Sequence, residues 1–392
     1  MTSTTGAAEQ AAASGLLSRL NETLPHPLVP EWEAAYKGVP RHRFLPETVW
    51  LGDELTPCDR RTSPGDWLHA AYADDPVVTQ INDGADPGDG ERWPSCSASA
   101  PGIVFRMLHM LGVRSGDQVL EIGTGTGWNA GLLAHRLGSD RVTTVEVDAA
   151  LAGRATANLT AVGLEPRIVA GDGATVTADH PLDRFLATCS VRRVSPRWVV
   201  GMKAGGVMLL PWESPWLCYG LLRLTADSDG VAAGRFHPHS AFMLLRGQRT
   251  DLRIFRDVVR DEHQPDESAT GLSPWAVAGD DWAARFALGL QLPDVWFTWH
   301  EAPDVEGVAS RLWVATTDAT SWAAIDHDGR THDRFTVWEY GPRRLWSEVE
   351  AAHHWWQSNG RPRPQDFGMT VTPDGRHTPW LETPRHPVPI VV

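Results

Sequence analysis

Apolar and polar positions change texture three times along this chain. From 12 to 47, "AASGLLSRLNETLPHPLVPEWEAAYKGVPRHRFLPE" predicts short helices broken by prolines. The preceding stretch, "MTSTTGAAEQAAASG", has the composition of a disordered lead-in. In "GIVFRMLHMLG", Val104, Met107, Leu108 and Leu111 share one face of a helix. Just before it, "SCSASAP" (95–101) puts Ser99 where a helix cap is expected and Pro101 where a first turn is expected.

From 118 onward the pattern alternates strand and helix. "QVLEIG" is a short apolar run ending at glycine, which suits a buried strand. Ala130, Leu133, Ala134 and Leu137 then follow at helical spacing, "RVTTVEV" reads as the next strand, and Leu151, Ala155 and Leu159 mark another helix. "PRIVAGDG", "RFLATCS" and "KAGGVMLLP" supply three further strands, with a helix around 194–203 before the last. This order predicts an α/β fold: a doubly wound, largely parallel Rossmann-like sheet with ligand sites at the carboxyl ends of its strands.

Beyond about 250 the chain becomes rich in tryptophan, with eleven of its nineteen after Ser273. "RRLWSEVEAAHHWWQSNG" reads as an amphipathic helix, and "DFGMTVTPDGRHTPWLE" as two strands joined at "PDG". The expected division is a lead-in over 1–36, partly disordered or helical, a catalytic region over 37–250, and a C-terminal α+β domain over 251–392. Large aromatics are the usual filling of a core, so these tryptophans are read as packing.

Composition narrows the function. A formal charge of −14 argues against a general affinity for nucleic-acid phosphates. No stretch approaches the roughly 20 apolar residues of a membrane helix. The four cysteines (Cys58, Cys96, Cys189, Cys218) form no CxxC pair and read as reduced thiols, which predicts a soluble protein of the cytoplasm. His353 and His354 are adjacent on a helix, and "HPH" (237–239) stands alone, so no metal site is expected.

The chemistry lies in "VLEIGTGTGWNAGLLA" (119–134). Glu121, Gly123, Gly125 and Gly127 follow E-x-G-x-G-x-G directly after a strand, with Thr124 and Thr126 between the glycines. Trp128 stands where a dinucleotide fingerprint has its third glycine, and no lysine follows as in a P-loop. Glu146 ends the next strand and Asp172–Gly173 the third. Three carboxylates at three strand ends would repel a pyrophosphate but suit S-adenosyl-L-methionine, with its sulfonium, amine and ribose. The bland alternative is a generic strand-to-helix turn.

From about 37 to 212 the chain resembles the protein-L-isoaspartate O-methyltransferases. "VPRHRFLPE" (39–47), "AYADDP" (71–76), "SASAP" (97–101), the glycine motif, "GDG" (171–173), "LDRFLATCS" and "KAGGVMLLP" appear in that family's order. The resemblance implies methyl transfer from S-adenosyl-L-methionine to a peptide carboxylate. It implies that Glu121, Gly123, Gly125 and Glu146 hold the cofactor, with Asp172 near the adenine and Ser99 as the active-site serine. Asp74, Asp75, Ser97 and Arg192 are candidates for the substrate side, while Asp74 and Asp75 also read as solvated charges and Arg192 as a surface ion-pair partner.

Two departures stand out: Ala100 replaces the family's glutamine, and "VVTQINDGADPGDGERW" replaces a shorter lead-in. The C-terminal third is expected to have no counterpart in ordinary repair enzymes. It resembles extended actinobacterial enzymes that accompany ribosomally made, modified peptides such as lanthipeptides, graspetides and lasso peptides. These features predict methylation of an aspartate side chain in a cyclised precursor peptide, leading to aspartimide or isoaspartate. The alternatives are repair of isoaspartyl residues in damaged proteins and a cofactor-binding module without activity.

Overall fold

A computed structural model describes residues 2–88, 90–238, 241–301, 306–329 and 333–391. The chain folds as two compact units. The first comprises Met1–Cys189, Ser195–Leu210 and Thr225–Val231; the second comprises Ser190–Val194, Pro211–Leu224 and Ala232–Val392. Residues 211–224 and 232–250, expected with the catalytic region, thus fold with the C-terminal unit. His239 of "HPH" lies outside the described residues.

The first unit opens with α1 (Thr2–Thr23) and α2 (Pro30–Gly38). Of the lead-in, expected to be partly disordered or helical, Thr2–Thr23 is a 22-residue helix. Its alanines favour helix, and Leu16 and Leu20, one turn apart, are fully buried. Arg19 Nη2 donates to Tyr72 O at 2.6 Å, and the Tyr36 hydroxyl donates to Ala13 O at 2.8 Å. Composition alone looked unstructured because these partners lie far along the chain.

Next come β1 (Thr48–Leu51), β2 (Thr56–Asp59), α3 (Pro64–Ala71), β3 (Val77–Ile81) and β4 (Pro94–Ala98). They form a four-stranded sheet of order β2-β1-β3-β4, in which β3 and β4 run antiparallel with an irregularity between Val78 and Gln80. Helix α4 (Pro101–Leu111) follows, burying Val104, Met107, Leu108 and Leu111 as their spacing predicts.

The parallel layer is built from β5 (Val119–Ile122), α5 (Trp128–Leu137), β6 (Val142–Glu146), α6 (Ala149–Thr160), β7 (Arg167–Ala170), β8 (Leu182–Ala187), α7 (Pro196–Val200) and β9 (Met202–Ser214). Its strand order is β9-β8-β5-β6-β7, with β5 and β8 paired in parallel at the centre. Every residue of β5 is buried, the carboxylate of Glu121 included. The reversal of direction between β8-side and β6-side crossovers leaves the crevice above β5 as the ligand position of this α/β sheet.

The second unit holds most of β10 (Cys218–Ala226), then β11 (Ala232–His237), β12 (Asp266–Thr270), α8 (Pro274–Ala278), α9 (Trp282–Gln291), β13 (Val295–Glu301), β14 (Ser310–Thr316), β15 (Trp322–His327), β16 (Phe335–Tyr340), α10 (Leu345–Ser358), β17 (Phe367–Val371) and β18 (His377–Leu381). Strands β12-β16-β15-β14-β13 make an antiparallel sheet. One face packs Phe297, Leu312, Val314 and Ile325 with Leu288, Trp346 and Val349 of the helices. The opposite face packs Trp313 and Trp322 with Ile254 and Val258. Of the late tryptophans, Trp313, Trp322, Trp346, Trp356 and Trp380 are buried, five more are half-buried, and Trp275 is 48% exposed.

Candidate active site

The glycine motif forms a tight loop between β5 and α5. Gly123, Gly125 and Gly127 have φ of 95°, 55° and 88°, a left-handed region that strains any residue with a Cβ. Space is also closed: a Cβ on Gly123 would stand 2.7 Å from Thr188 Oγ1, and one on Gly127 3.2 Å from Ala155 Cβ and Leu159 Cδ1. The loop leans on β6, because Gly123 N and Thr124 N donate to Val145 O at 2.9 and 3.2 Å.

Two glutamates serve this loop differently. Glu146, at the end of β6, accepts from Gly125 N at 2.8 Å and from Asp148 N at 3.1 Å, each through one carboxylate oxygen. Every carboxylate oxygen has two acceptor positions, so capacity remains for ribose hydroxyls. Glu121 is fully buried beneath the loop and takes Asn129 Nδ2 at 2.5 Å and Thr144 Oγ1 at 2.6 Å. Burial, opposed by these hydrogen bonds, raises its pKa to about 7. Its direct work is therefore on the loop, through Asn129 of α5 and Thr144 of β6. Thr124 Oγ1 joins the same network at 2.7 Å from Thr144 Oγ1, and Thr126 is buried.

Asp172 is exposed past β7, with Oδ1 accepting from Ala174 N at 2.9 Å. Gly173 is required sterically: a Cβ there would lie 2.5 Å from Ile122 Cγ2 of β5. A cavity of about 640 Å³ touches Gly171 and Asp172 but none of residues 123–127, so it is a different hollow from the loop's crevice.

The serine run lies beside the loop. An ideal Cβ on Gly125 would be 3.5 Å from Cys96 Sγ, so β4 passes directly alongside the glycines. Ser97 is half-buried and pairs with Val78, and Ser99 follows two residues later at the strand's end. The capping expectation for Ser99 is corrected by the geometry. The residue flanking α4 is Ala100, and it makes no side-chain cap. The cap comes from Asp74, whose Oδ1 accepts from Gly102 N at 2.6 Å. Gly102 has no room for a Cβ, which would lie 2.5 Å from Asp74 Oδ2. The carbonyl of Ser99 accepts from Arg41 Nη2 at 3.0 Å, while its half-buried hydroxyl has no protein partner among the described residues.

Asp75 is exposed beside this edge, and its carbonyl also accepts from Arg41 Nη2, at 3.2 Å. Arg192 belongs to the second unit, where it pairs with Glu213 at 3.6 Å and donates to Thr250 Oγ1 at 3.0 Å. Burial lowers the Arg192 pKa and raises that of Glu213. Neither the capping by Asp74 nor the convergence of carbonyls on Arg41 is expected from the motifs that contain them. The signal available for Arg41 was a charged residue between "VP" and an apolar run; its six acceptors, 29 to 58 residues away, left none.

A parallel sheet whose central strand runs into a glycine loop with three left-handed glycines, and a carboxylate closing the next strand, defines an S-adenosyl-L-methionine-dependent methyltransferase. The cradle fits that cofactor on its own terms. The three glycines let the loop take its left-handed turns, and the Glu146 carboxylate beside it keeps acceptor capacity for hydroxyl groups.

Comparison with known proteins gives the family. The profile described as Protein-L-isoaspartate(D-aspartate) O-methyltransferase (PCMT) matches residues 55–243. The protein-L-isoaspartate O-methyltransferase of Ignicoccus hospitalis is 33% identical over 203 residues, 51% of this chain and 82% of that one. The enzyme named protein-L-isoaspartate O-methyltransferase 2 from Polaromonas sp. is 29% identical over 213 residues, 54% and 85% of the two chains. The chain belongs to the protein-L-isoaspartate O-methyltransferase family and is an S-adenosyl-L-methionine-dependent carboxyl O-methyltransferase.

A solved structure titled protein-L-isoaspartate O-methyltransferase shares the fold, with a TM-score of 0.54 and 18% identity. The likeness covers 95% of this chain and 100% of that one. That likeness in fold extends over the C-terminal third, whereas the matches to the Ignicoccus hospitalis and Polaromonas enzymes take in about half of this chain. Among the described residues no helix is long and apolar enough to cross a membrane.

Proposed function

We propose that the protein methylates the free carboxylate of an isoaspartyl residue in a peptide or protein, with Ser99 contacting the acceptor. The carrying observation is the placement of β4 against the glycine loop, with a serine hydroxyl at the strand's end that has no partner among the described residues. A carboxylate is already an anion at neutral pH, its unperturbed pKa being near 4, so no general base is required. When bound, the cofactor supplies an electrophilic methyl on a sulfonium. What this chain contributes is alignment. The glycine loop and Glu146 hold the donor, and the Ser99 hydroxyl donates a hydrogen bond that orients one oxygen of the acceptor. Asp75 and Ser97 line the approach from the same edge.

The family relatives support the isoaspartyl acceptor over the cyclised precursor peptide that the sequence departures suggested. One observation still favours the second reading, an aspartate side chain of a modified ribosomal peptide converted to aspartimide or isoaspartate. Ala100 stands where an amide side chain would complete the acceptor edge, and it is half-buried beside Ser99. Mass spectrometry after incubation with S-adenosyl-L-methionine decides between them. An isoaspartyl peptide should gain a methyl group at least tenfold faster than its aspartyl counterpart, a difference of about 1.4 kcal/mol in the barrier. Equal or reversed rates, with a cyclised aspartyl peptide as the better acceptor, would establish the second reading. No methylation of any peptide would overturn both.

A further inference from the structure

Six carbonyl oxygens converge on one buried guanidinium. Arg41 is fully buried, and its Nη1 donates to Ala70 O, Ala71 O and Ala73 O at 3.4, 2.8 and 3.4 Å. Its Nη2 donates to Asp75 O, Ala98 O and Ser99 O at 3.2, 3.1 and 3.0 Å. The first four acceptors belong to the end of α3 and the turn after it. The last two belong to the end of β4 and to Ser99 itself.

A third piece of the site meets the same side chain. The guanidinium carbon lies 5.6 Å from the centre of the Trp128 ring. Trp128 is the first residue of α5, directly after Gly127, and its Nε1 donates to Val39 O at 2.9 Å, two residues before Arg41. One segment, 39–41, therefore grips the donor loop's helix and the main chain of the acceptor-side serine. Carbonyl dipoles take all the hydrogen bonds that the guanidinium nitrogens Nη1 and Nη2 make, and Nε is buried without a partner among the described residues. Burial pulls the Arg41 pKa down to about 10, which still leaves it charged at neutral pH.

A buried cation is a costly way to hold a fold together when apolar packing would serve. Its advantage is geometric, because a planar fork fixes several acceptors at set directions, whereas an ammonium on a flexible stem does not. We propose that Arg41 is a positioning residue for methyl transfer, holding the Ser99 main chain in register with the glycine loop so that the serine hydroxyl meets the acceptor in line with the donor. This rests on the role given to Ser99 under Proposed function.

The test is a double-mutant cycle with Arg41→Lys and Ser99→Ala, reading turnover of an isoaspartyl peptide and calorimetric affinity for S-adenosylhomocysteine. Arg41→Lys should lower kcat about thirtyfold and change cofactor-product affinity and KM by less than about threefold. In the Ser99→Ala background the same replacement should lower kcat less than about threefold, because the group it positions is gone. A merely structural Arg41 would lose the same factor in both backgrounds, and that additive result overturns the proposal.

Should Arg41→Lys fail to fold, Trp128→Phe serves in the same cycle. It removes the bond to Val39 and leaves the guanidinium donors in place. A kcat loss of about fivefold confined to the serine background supports the proposal, and an equal loss in both overturns it. If Ser99→Ala alone leaves kcat unchanged, the reading of Ser99 falls and Arg41 falls with it. If Ser99→Ala lowers kcat but the cycle is additive, only the Arg41 proposal falls.

Discussion

Around Gly123–Gly127 the backbone N–H groups of Gly123, Thr124 and Gly125 are taken by the next strand, β6, although Thr188, Cys96, Ala155 and Leu159 also pack against the loop's glycines. Around Ser99 the partners lie far along the chain. The loop is held by Val145 and Glu146, about one crossover away, while Ser99 is held by Arg41, 58 residues earlier, and its helix is capped by Asp74, 28 residues before Gly102. Donor geometry is written into local backbone chemistry. Acceptor geometry is assembled by long-range hydrogen bonds to main-chain carbonyls, which accept from any sequence. The acceptor edge can therefore change side chains, as at Ala100, while the donor edge cannot.

The sharpest way to break the donor side is at the loop itself. Gly123→Ala places a Cβ 2.7 Å from Thr188 Oγ1 at a φ of 95°, a combination costing on the order of 1–3 kcal/mol in strain alone. Loss of measurable S-adenosylhomocysteine binding in calorimetry is the expected outcome; retained affinity would show that the loop tolerates side chains. Glu146→Ala removes acceptors for Gly125 N and Asp148 N. It should weaken the same binding about 10- to 100-fold, or roughly 1.4–2.8 kcal/mol, while leaving the peptide KM unchanged.

On the acceptor side the comparison separates stability from turnover. Asp74→Ala deletes the cap of α4 and should cost about 1 kcal/mol, read as a lower Tm or denaturant midpoint. Ser99→Ala should change stability by less than about 0.5 kcal/mol, since its hydroxyl bonds to no protein group among the described residues. The reverse pattern would restore the serine as the helix cap.

The smallest effect concerns pH. The folded-state pKa of Glu121 is about 7 against an ordinary 4.5, so the folded chain holds this proton longer than the unfolded chain. The contribution is fully present below about pH 4.5 and is lost as pH rises toward 7. Glu121→Gln keeps the shape and cannot titrate, so its denaturation midpoint should fall less steeply across that window than that of the wild type. Parallel curves would mean that Glu121 is ionised in the folded protein.

Legibility in the sequence follows the same divide. The five parallel strands, helices α5, α6 and α10, and the β17–β18 hairpin were readable because burial patterns, glycine stops and turn residues are local. Helix α1 was not, because its alanines carry little amphipathic signal and its anchors, Tyr36 and Tyr72, lie in other elements. The reach of the second unit into 211–224 and 232–250 was hidden because β9 runs on to Ser214, beyond the apolar run that predicted it. At the site, the glycines and Glu146 could be named from spacing. Asp74 as a cap and Arg41 as a hub could not, because a main-chain acceptor leaves no mark on the residue that supplies it.

The separation of the two edges is tested most directly by one measurement on one preparation: the affinity for S-adenosylhomocysteine and the turnover of an isoaspartyl peptide by Ser99→Ala. An unchanged Kd with kcat reduced at least tenfold, about 1.4 kcal/mol of transition-state stabilisation, is the predicted result. A Kd that weakens in step with kcat, or turnover equal to that of the wild type, would contradict it.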